Sequence, residues 1–166
     1  VDVVNLNALV APNNSLKGLA IQTPIPAATT TGTLTANTIN PTEWDGNTAV
    51  LTLILPAAIA GIRVVLGINA IAAAADDVLT INVASASGDV FAPGTTVPSG
   101  TTPFFISVAA AGTDNQVVYT PAATNSILGP GSVLHLTCTT NGQWNLSVDH
   151  VPLGTGLGGA FAFNTV

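Results

Sequence analysis

The sequence predicts an all-β chain, with a β-sandwich or jelly-roll-like body and extended N- and C-terminal arms. Short runs of Val, Ile, Leu and Thr are separated by Gly, Pro, Asn and Asp, which is the pattern of sandwiches and barrels. Only Ala70–Asp77 has helical propensity, and it is shorter than the roughly 12 residues that an isolated helix needs. The predicted organisation is an arm and linker over 1–31, a β-sandwich domain over 32–150 and a Gly-rich arm over 151–166.

The N-terminal region carries two short apolar clusters, which are separated by a turn-forming stretch at Ala11–Asn14. Pro24 and Pro26 close the region. Because proline lacks a backbone donor and restricts its neighbours, the region is predicted to be an extended arm or an edge strand. Its interface candidates are Leu6, Leu9, Leu16 and Ile21.

The body contains eight predicted strands in the sequence. They are Gly32–Ile39, Thr48–Leu55, Ile62–Ile68, Val78–Ala84, Phe104–Ala109, Gln116–Thr120, Ser132–Thr139 and Gln143–Val148. The last two are joined through Asn141 and Gly142, and Asn-Gly between two such runs is the strongest short signal for a hairpin. The predicted structural anchors of this turn are therefore Asn141 and Gly142. Two further predicted anchors are the tryptophans Trp44 and Trp144, as core or interface residues.

The C-terminal segment changes character after Pro152, where glycines alternate with apolar residues and lead to an aromatic tip. Ordering a glycine-rich backbone costs conformational entropy. An apolar tip on such a backbone indicates a segment fixed by a neighbouring subunit or a larger partner. Its interface candidates are Leu153, Leu157, Phe161 and Phe163.

The scarcity of charge excludes several functions. Charged residues make up 6% of the chain, against roughly 25% in ordinary soluble domains. Only Lys17 and Arg63 are basic and the net charge is -6, so neither a nucleic-acid backbone nor an anionic membrane surface is an expected partner. Polar residues also interrupt each apolar stretch before the roughly 18 to 20 residues that a spanning helix needs.

Residues capable of catalysis are few. The only cysteine, Cys138, excludes an internal disulfide and lies in an alternating strand, so we expect an inert buried thiol. His135 and His150 are the candidates for proton transfer at neutral pH. Ser147 and Asp149 share a strand face while His150 would point to the other, which is poor geometry for a hydrolytic triad.

Carboxylates and glycines give no stronger signal. Glu43/Asp45 and Asp76/Asp77 are the close acidic pairs, which could serve glycoside hydrolysis or calcium binding but lack the spacing of a calcium loop. Gly154, Gly156 and Gly159 match a dinucleotide spacing without the βαβ unit that this site requires. We therefore predict no catalytic residue, no metal and no cofactor.

A neutral surface with apolar ends favours association, because little charge repulsion keeps copies apart. The stretches Ala49–Gly61, Leu79–Val90 and Gly131–Leu146 resemble a β-rich module of tailed-bacteriophage virion proteins, found in head decoration (cement) proteins and in tail-fibre segments. The resemblance implies a sandwich or jelly roll that assembles as a homotrimer, has no catalytic site and binds the major capsid protein at the virion surface.

Two alternatives remain open at this point. One is a trimeric tail-fibre or receptor-binding module, although the chain shows neither sequence repeats nor heptads. The other is a glycan hydrolase that uses Glu43 and Asp45.

Overall fold

The computed structural model describes residues 20–69, 77–84, 88–98, 106–109, 112–122, 126–151 and 158–166. Within these ranges the chain forms strands and no helix, so the predicted all-β class is confirmed. The strands are β1 Ala20–Ile21, β2 Thr31–Thr33, β3 Thr38–Thr42, β4 Leu51–Ile54, β5 Arg63–Ile68, β6 Leu79–Asn82, β7 Val90–Phe91, β8 Thr96–Pro98, β9 Ile106–Val108, β10 Gln116–Thr120, β11 Val133–Thr140, β12 Gln143–Asp149 and β13 Ala160–Asn164.

The strands form two packed sheets and a small hairpin. The six-stranded sheet has the order β1-β3-β5-β11-β12-β7, and the five-stranded sheet has the order β13-β10-β6-β4-β2. β8 and β9 pair with each other and contact β12 and β13, so this hairpin lies beside both sheets. The architecture is a β-sandwich.

In the N-terminal half of the sandwich, the strands β1 to β6 wind in successive turns as in a solenoid, and we call this arrangement the parallel coil. Successive strands from β1 to β6 alternate between the two sheets, and β1, β3 and β5 are parallel neighbours in one sheet. β2, β4 and β6 are parallel neighbours in the other. This parallel pairing departs from the antiparallel Greek keys of a jelly roll.

The predicted strand Gly32–Ile39 is two strands in different sheets. β2 ends at Thr33, and a turn at Asn37 with φ 57° leads into β3. Asparagine tolerates this left-handed backbone, and the Asn37 side-chain oxygen accepts a hydrogen bond from the Arg63 amide at 3.2 Å. The turn therefore carries the chain from one sheet to the other.

The body extends beyond the predicted limits of 32–150 at its N-terminal end. β1 pairs with β3, Ile25 bridges to Thr42, and β2 begins at Thr31, so residues 20–31 belong to the body rather than to an arm and linker. β1 is an edge strand, which is one of the two predicted forms for this region. The remaining strands that the sequence pattern did not predict are β7, β8 and β13.

The C-terminal segment is also part of the body over residues 158–166. β13 pairs antiparallel with β10, and Phe161 packs 4.7 Å from the ring of Tyr119, measured between centroids. Phe163 lies 5.2 Å from the ring of Phe91. This corrects the prediction of an arm whose interface candidates Phe161 and Phe163 are fixed by a neighbouring subunit or a larger partner. The period-two spacing of the two phenylalanines places both on the inner face of this chain's own sheet.

The hairpin of β11 and β12 turns at Asn141 and Gly142, as predicted. Gly142 has φ +80°, which suits a glycine at this position. The two residues also fix a neighbouring loop, because the Asn141 side-chain oxygen accepts from the Ala60 amide and the Gly142 amide donates to the Ala58 carbonyl. The turn therefore joins the hairpin to the segment between β4 and β5.

The core fills the space between the sheets, and both predicted tryptophan anchors are fully buried in it. The Trp44 indole nitrogen donates to the Ala49 carbonyl at 3.0 Å, and its ring meets Tyr119 edge-on. The Trp144 indole nitrogen is buried without a hydrogen-bond partner among the described residues. Trp144 thus contributes apolar area, whereas Trp44 also fixes the loop before β4.

Candidate functional site

The acidic pair Glu43/Asp45 lies in the turn after β3, where Asp45 caps the backbone. The Asp45 carboxylate accepts hydrogen bonds from the amides of Asn47 and Thr48 at 2.9 and 2.8 Å and from the Thr48 hydroxyl at 2.7 Å. Slight burial alone would raise the pKa of Asp45, but these hydrogen bonds outweigh it, and the pKa lies below its usual value. A carboxyl held ionised in a turn is unsuited to general acid catalysis.

The second acidic pair has one member, Asp77, in the described residues. Its amide donates to the Gly46 carbonyl at 2.7 Å, so it fixes the turn that contains Asp45. Among the described residues no three His, Cys, Asp or Glu side chains come close enough to hold a metal ion. Asp76, Gly154 and Gly156 lie outside the described residues.

Cys138 is buried on the inner face of β11. Its thiol donates to the Thr140 carbonyl at 3.2 Å, and burial raises the pKa of the thiol. A protonated, buried thiol is a poor nucleophile. The expected inert cysteine is consistent with this geometry.

His135 faces solvent on β11 and pairs with Asp149 on β12. The distance between His135 Nε2 and Asp149 Oδ2 is 2.9 Å, and Ser147 stands opposite His135 in the register. The Asp149 side chain is 79% exposed, so it does not provide the buried, orienting acid of a hydrolytic triad. His150 follows the strand and is exposed.

The pairing of His135 with Asp149 is the contact that sequence reasoning missed. The signal was present, because the Asn-Gly turn nearly sets the register of the hairpin. The bulge between Cys138 and Thr140 shifts that register, so that Asp149 lies diagonal to His135.

Tyr119 is a buried core residue whose hydroxyl has hydrogen-bond partners. Its hydroxyl hydrogen-bonds the Ser126 hydroxyl and accepts from the Leu128 amide at 3.2 Å. Burial raises the pKa of Tyr119. These contacts tie the loop before β11 to the five-stranded sheet, which is a structural role.

The outer face of the six-stranded sheet carries an apolar strip, which we define as Ile21, Ile39, Pro41, Val65 and Val133. The register aligns Ile21 of β1 with Ile39 of β3, and Ile39 with Val65 of β5. Val65 is only 8% exposed although it lies on the outer face, because Ile39 and His135 flank it in register. Ile21 is 72% exposed at the edge.

Charged groups border the apolar strip. Arg63 lies on β5 two positions before Val65, and Asp149 lies in register with Val133. An apolar centre with a polar rim is the usual anatomy of a protein-protein interface. Of the interface candidates predicted from the sequence, Ile21 alone belongs to the apolar strip, while Leu6, Leu9, Leu16, Leu153 and Leu157 lie outside the described residues.

The outer face of the five-stranded sheet is different and is here named the neutral face. The side chains that the register places on it are Thr31, Thr33, Thr52, Ile54, Thr80, Asn82, Gln116, Val118, Thr120, Ala160, Ala162 and Asn164. They carry no charge. Gln116 donates to Asn82 at 3.0 Å and accepts from Asn164 at 3.2 Å, which forms a row of linked amides across three strands.

Among the described residues, the two outer sheet faces therefore differ in chemistry: one carries the apolar strip and the other is the neutral face. No helix in the described ranges is long and apolar enough to cross a membrane. Comparison of the chain with protein-family models, curated proteins and solved structures finds no match.

Proposed function

We propose that this protein is a structural virion subunit that binds the outer surface of a phage capsid as an oligomer and stabilises the shell. The observation that carries the proposal is the apolar strip with its charged rim, on an all-β body. The acids, histidines and cysteine among the described residues either hold the fold together or face solvent. The resemblance of the sequence to phage decoration modules supports the choice of the capsid as the partner.

The apolar strip is the surface that we assign to the capsid. Burying apolar area contributes about 25 cal/mol per Å², and the strip presents β-branched side chains on four neighbouring strands. Arg63 and Asp149 add groups of both signs that can set the orientation of docking. Docking by apolar burial would persist in salt better than docking by ion pairs.

The test compares two exposed isoleucines. Ile21→Asp places a charge at the margin of the apolar strip, and Ile59→Asp places the same charge in the segment between β4 and β5, which belongs to neither sheet face. Ile21 is 72% exposed and Ile59 is 60% exposed, so both variants should fold. Occupancy of phage heads that lack the protein is measured by sedimentation with added wild-type or variant protein.

We expect Ile21→Asp to lower the affinity for heads at least about tenfold, because docking would desolvate the added charge against an apolar contact. Ile59→Asp should bind as wild type does. Wild-type protein that ignores heads would overturn the proposal. Equal binding by both variants would remove the apolar strip as the docking surface.

The second candidate function is a trimeric tail-fibre or receptor-binding module. The parallel coil of β1 to β6 favours it, because strands stacked turn upon turn are the building principle of elongated solenoids. Imaging of the virion with a labelled copy separates the two functions, since the label lies on the shell in one case and on the tail in the other.

A further inference from the structure

We propose that the neutral face is the surface through which copies of this chain associate, with the same face of a second copy as its occupant. The inference rests on the oligomeric part of the proposed function and does not involve the capsid. It gives a twofold pair of copies in place of the homotrimer that the resemblance implies. It assigns the two outer faces of the sandwich to different partners.

The distribution of charge points to a second copy. The chain carries a net charge of -6, so two copies repel each other wherever acidic residues meet. The described acids that face solvent lie elsewhere: Glu43, Asp45 and Asp77 in or beside the turn after β3, and Asp149 beside the apolar strip. Within the described residues, the neutral face is the outer sheet face that presents no charged side chain to a second copy.

An uncharged face also suits its own copy better than a different partner. Charges across an interface chiefly supply specificity and steering toward a distinct partner, and the neutral face has none. An interface between identical faces related by symmetry needs only self-complementarity. Short side chains such as Thr52, Thr80 and Ala162 keep the face level, as face-to-face packing of sheets requires.

The row of amides reduces the cost of burying this face. Asn82, Gln116 and Asn164 already hydrogen-bond one another, so contact with a second copy removes fewer unpaired polar groups from water. The hydroxyls of Thr31, Thr33 and Thr52 remain available for hydrogen bonds across the interface.

The experiment adds one negative charge to either face and measures the oligomeric state of full-length protein, without heads, by light scattering over a dilution series. Val118→Asp lies inside the neutral face on β10, between Thr80 and Ala162 in register. Ala162→Asp is a milder variant at an exposed position of β13. Asn145→Asp, on the outer face of β12, is the matched control.

We expect both neutral-face variants to need at least about tenfold higher concentration for association, because the added charge meets its symmetry mate. The control should associate as wild type does. Association unchanged in Ala162→Asp, with the β-sheet circular dichroism retained, would overturn the inference even if Val118→Asp unfolds.

Wild-type protein that is monomeric across the series would also overturn it. In that case, head binding still tests the proposed function separately. Wild-type protein that self-associates but does not bind heads would instead count against the proposed function and leave this interface in place.

Discussion

The two outer faces of the sandwich share one core but differ in chemistry. The six-stranded sheet presents the apolar strip bordered by Arg63, His135 and Asp149, whereas the neutral face of the five-stranded sheet carries only hydroxyl, amide and aliphatic groups. Although only 6% of the residues are charged, the charged side chains are not spread evenly: they border one outer sheet face and are absent from the other. The positions of a few charges, more than their number, therefore distinguish the two surfaces.

The largest expected effect on stability is at Val65, the most buried residue of the apolar strip. Val65→Asp places a carboxylate between Ile39 and His135, and we expect it to lower the free energy of unfolding by about 3 kcal/mol. Thr52→Asp, at a half-buried position of the neutral face, should cost about 1 kcal/mol. Urea unfolding of both variants at one protein concentration measures the two costs.

A conservative control separates charge from packing at the same position. Val65→Thr keeps the β-branched shape and replaces one methyl group with a hydroxyl. A cost near that of Val65→Asp would show that polarity of any kind, rather than charge, disrupts the strip. If Val65→Asp and Thr52→Asp lower the free energy of unfolding equally, the two faces do not differ in their tolerance of an added charge.

A smaller effect is expected in the row of amides on the neutral face. Gln116→Ala removes the central member and leaves Asn82 and Asn164 without their mutual link, which should cost about 1 kcal/mol. Asn164→Ala removes one exposed bond and should cost less. Thermal unfolding of the two variants ranks them, and the reverse order would show that the row does not act as a unit.

The hairpin and the core were largely predictable from the sequence. The signals for β11 and β12 are local, because alternation and the Asn141–Gly142 turn lie within one short segment. Leu134, Leu136 and Trp144 follow from that alternation as inward-facing residues. Short-range patterns were therefore sufficient where strands are antiparallel neighbours in sequence.

The coil and both outer faces were not predictable in the same way. Ile21, Ile39 and Val65 come from three separate segments, and parallel pairing leaves no turn signature between them. The strand β13 was misread because its glycine-rich approach suggested flexibility. Gly159, at φ +82°, has instead a fixed place: a Cβ there would lie 2.8 Å from the Thr120 carbonyl oxygen.

The smallest expected effect concerns the pair of His135 and Asp149 at the rim of the apolar strip. Asp149→Asn removes the charge but keeps the size, and we expect a change in the free energy of unfolding below about 0.5 kcal/mol, since exposed pairs are screened by water and salt. Urea unfolding at low and high salt measures it.

The same variant also tests whether the charged rim of the apolar strip orients docking. If Asp149 sets the orientation of docking, Asp149→Asn should slow the association with heads at low salt while stability and self-association stay unchanged. A stability loss of more than about 1 kcal/mol would instead make the pair part of the fold. Because the neutral face has no corresponding charge, salt should alter the rate of head docking more than it alters the association of copies with one another.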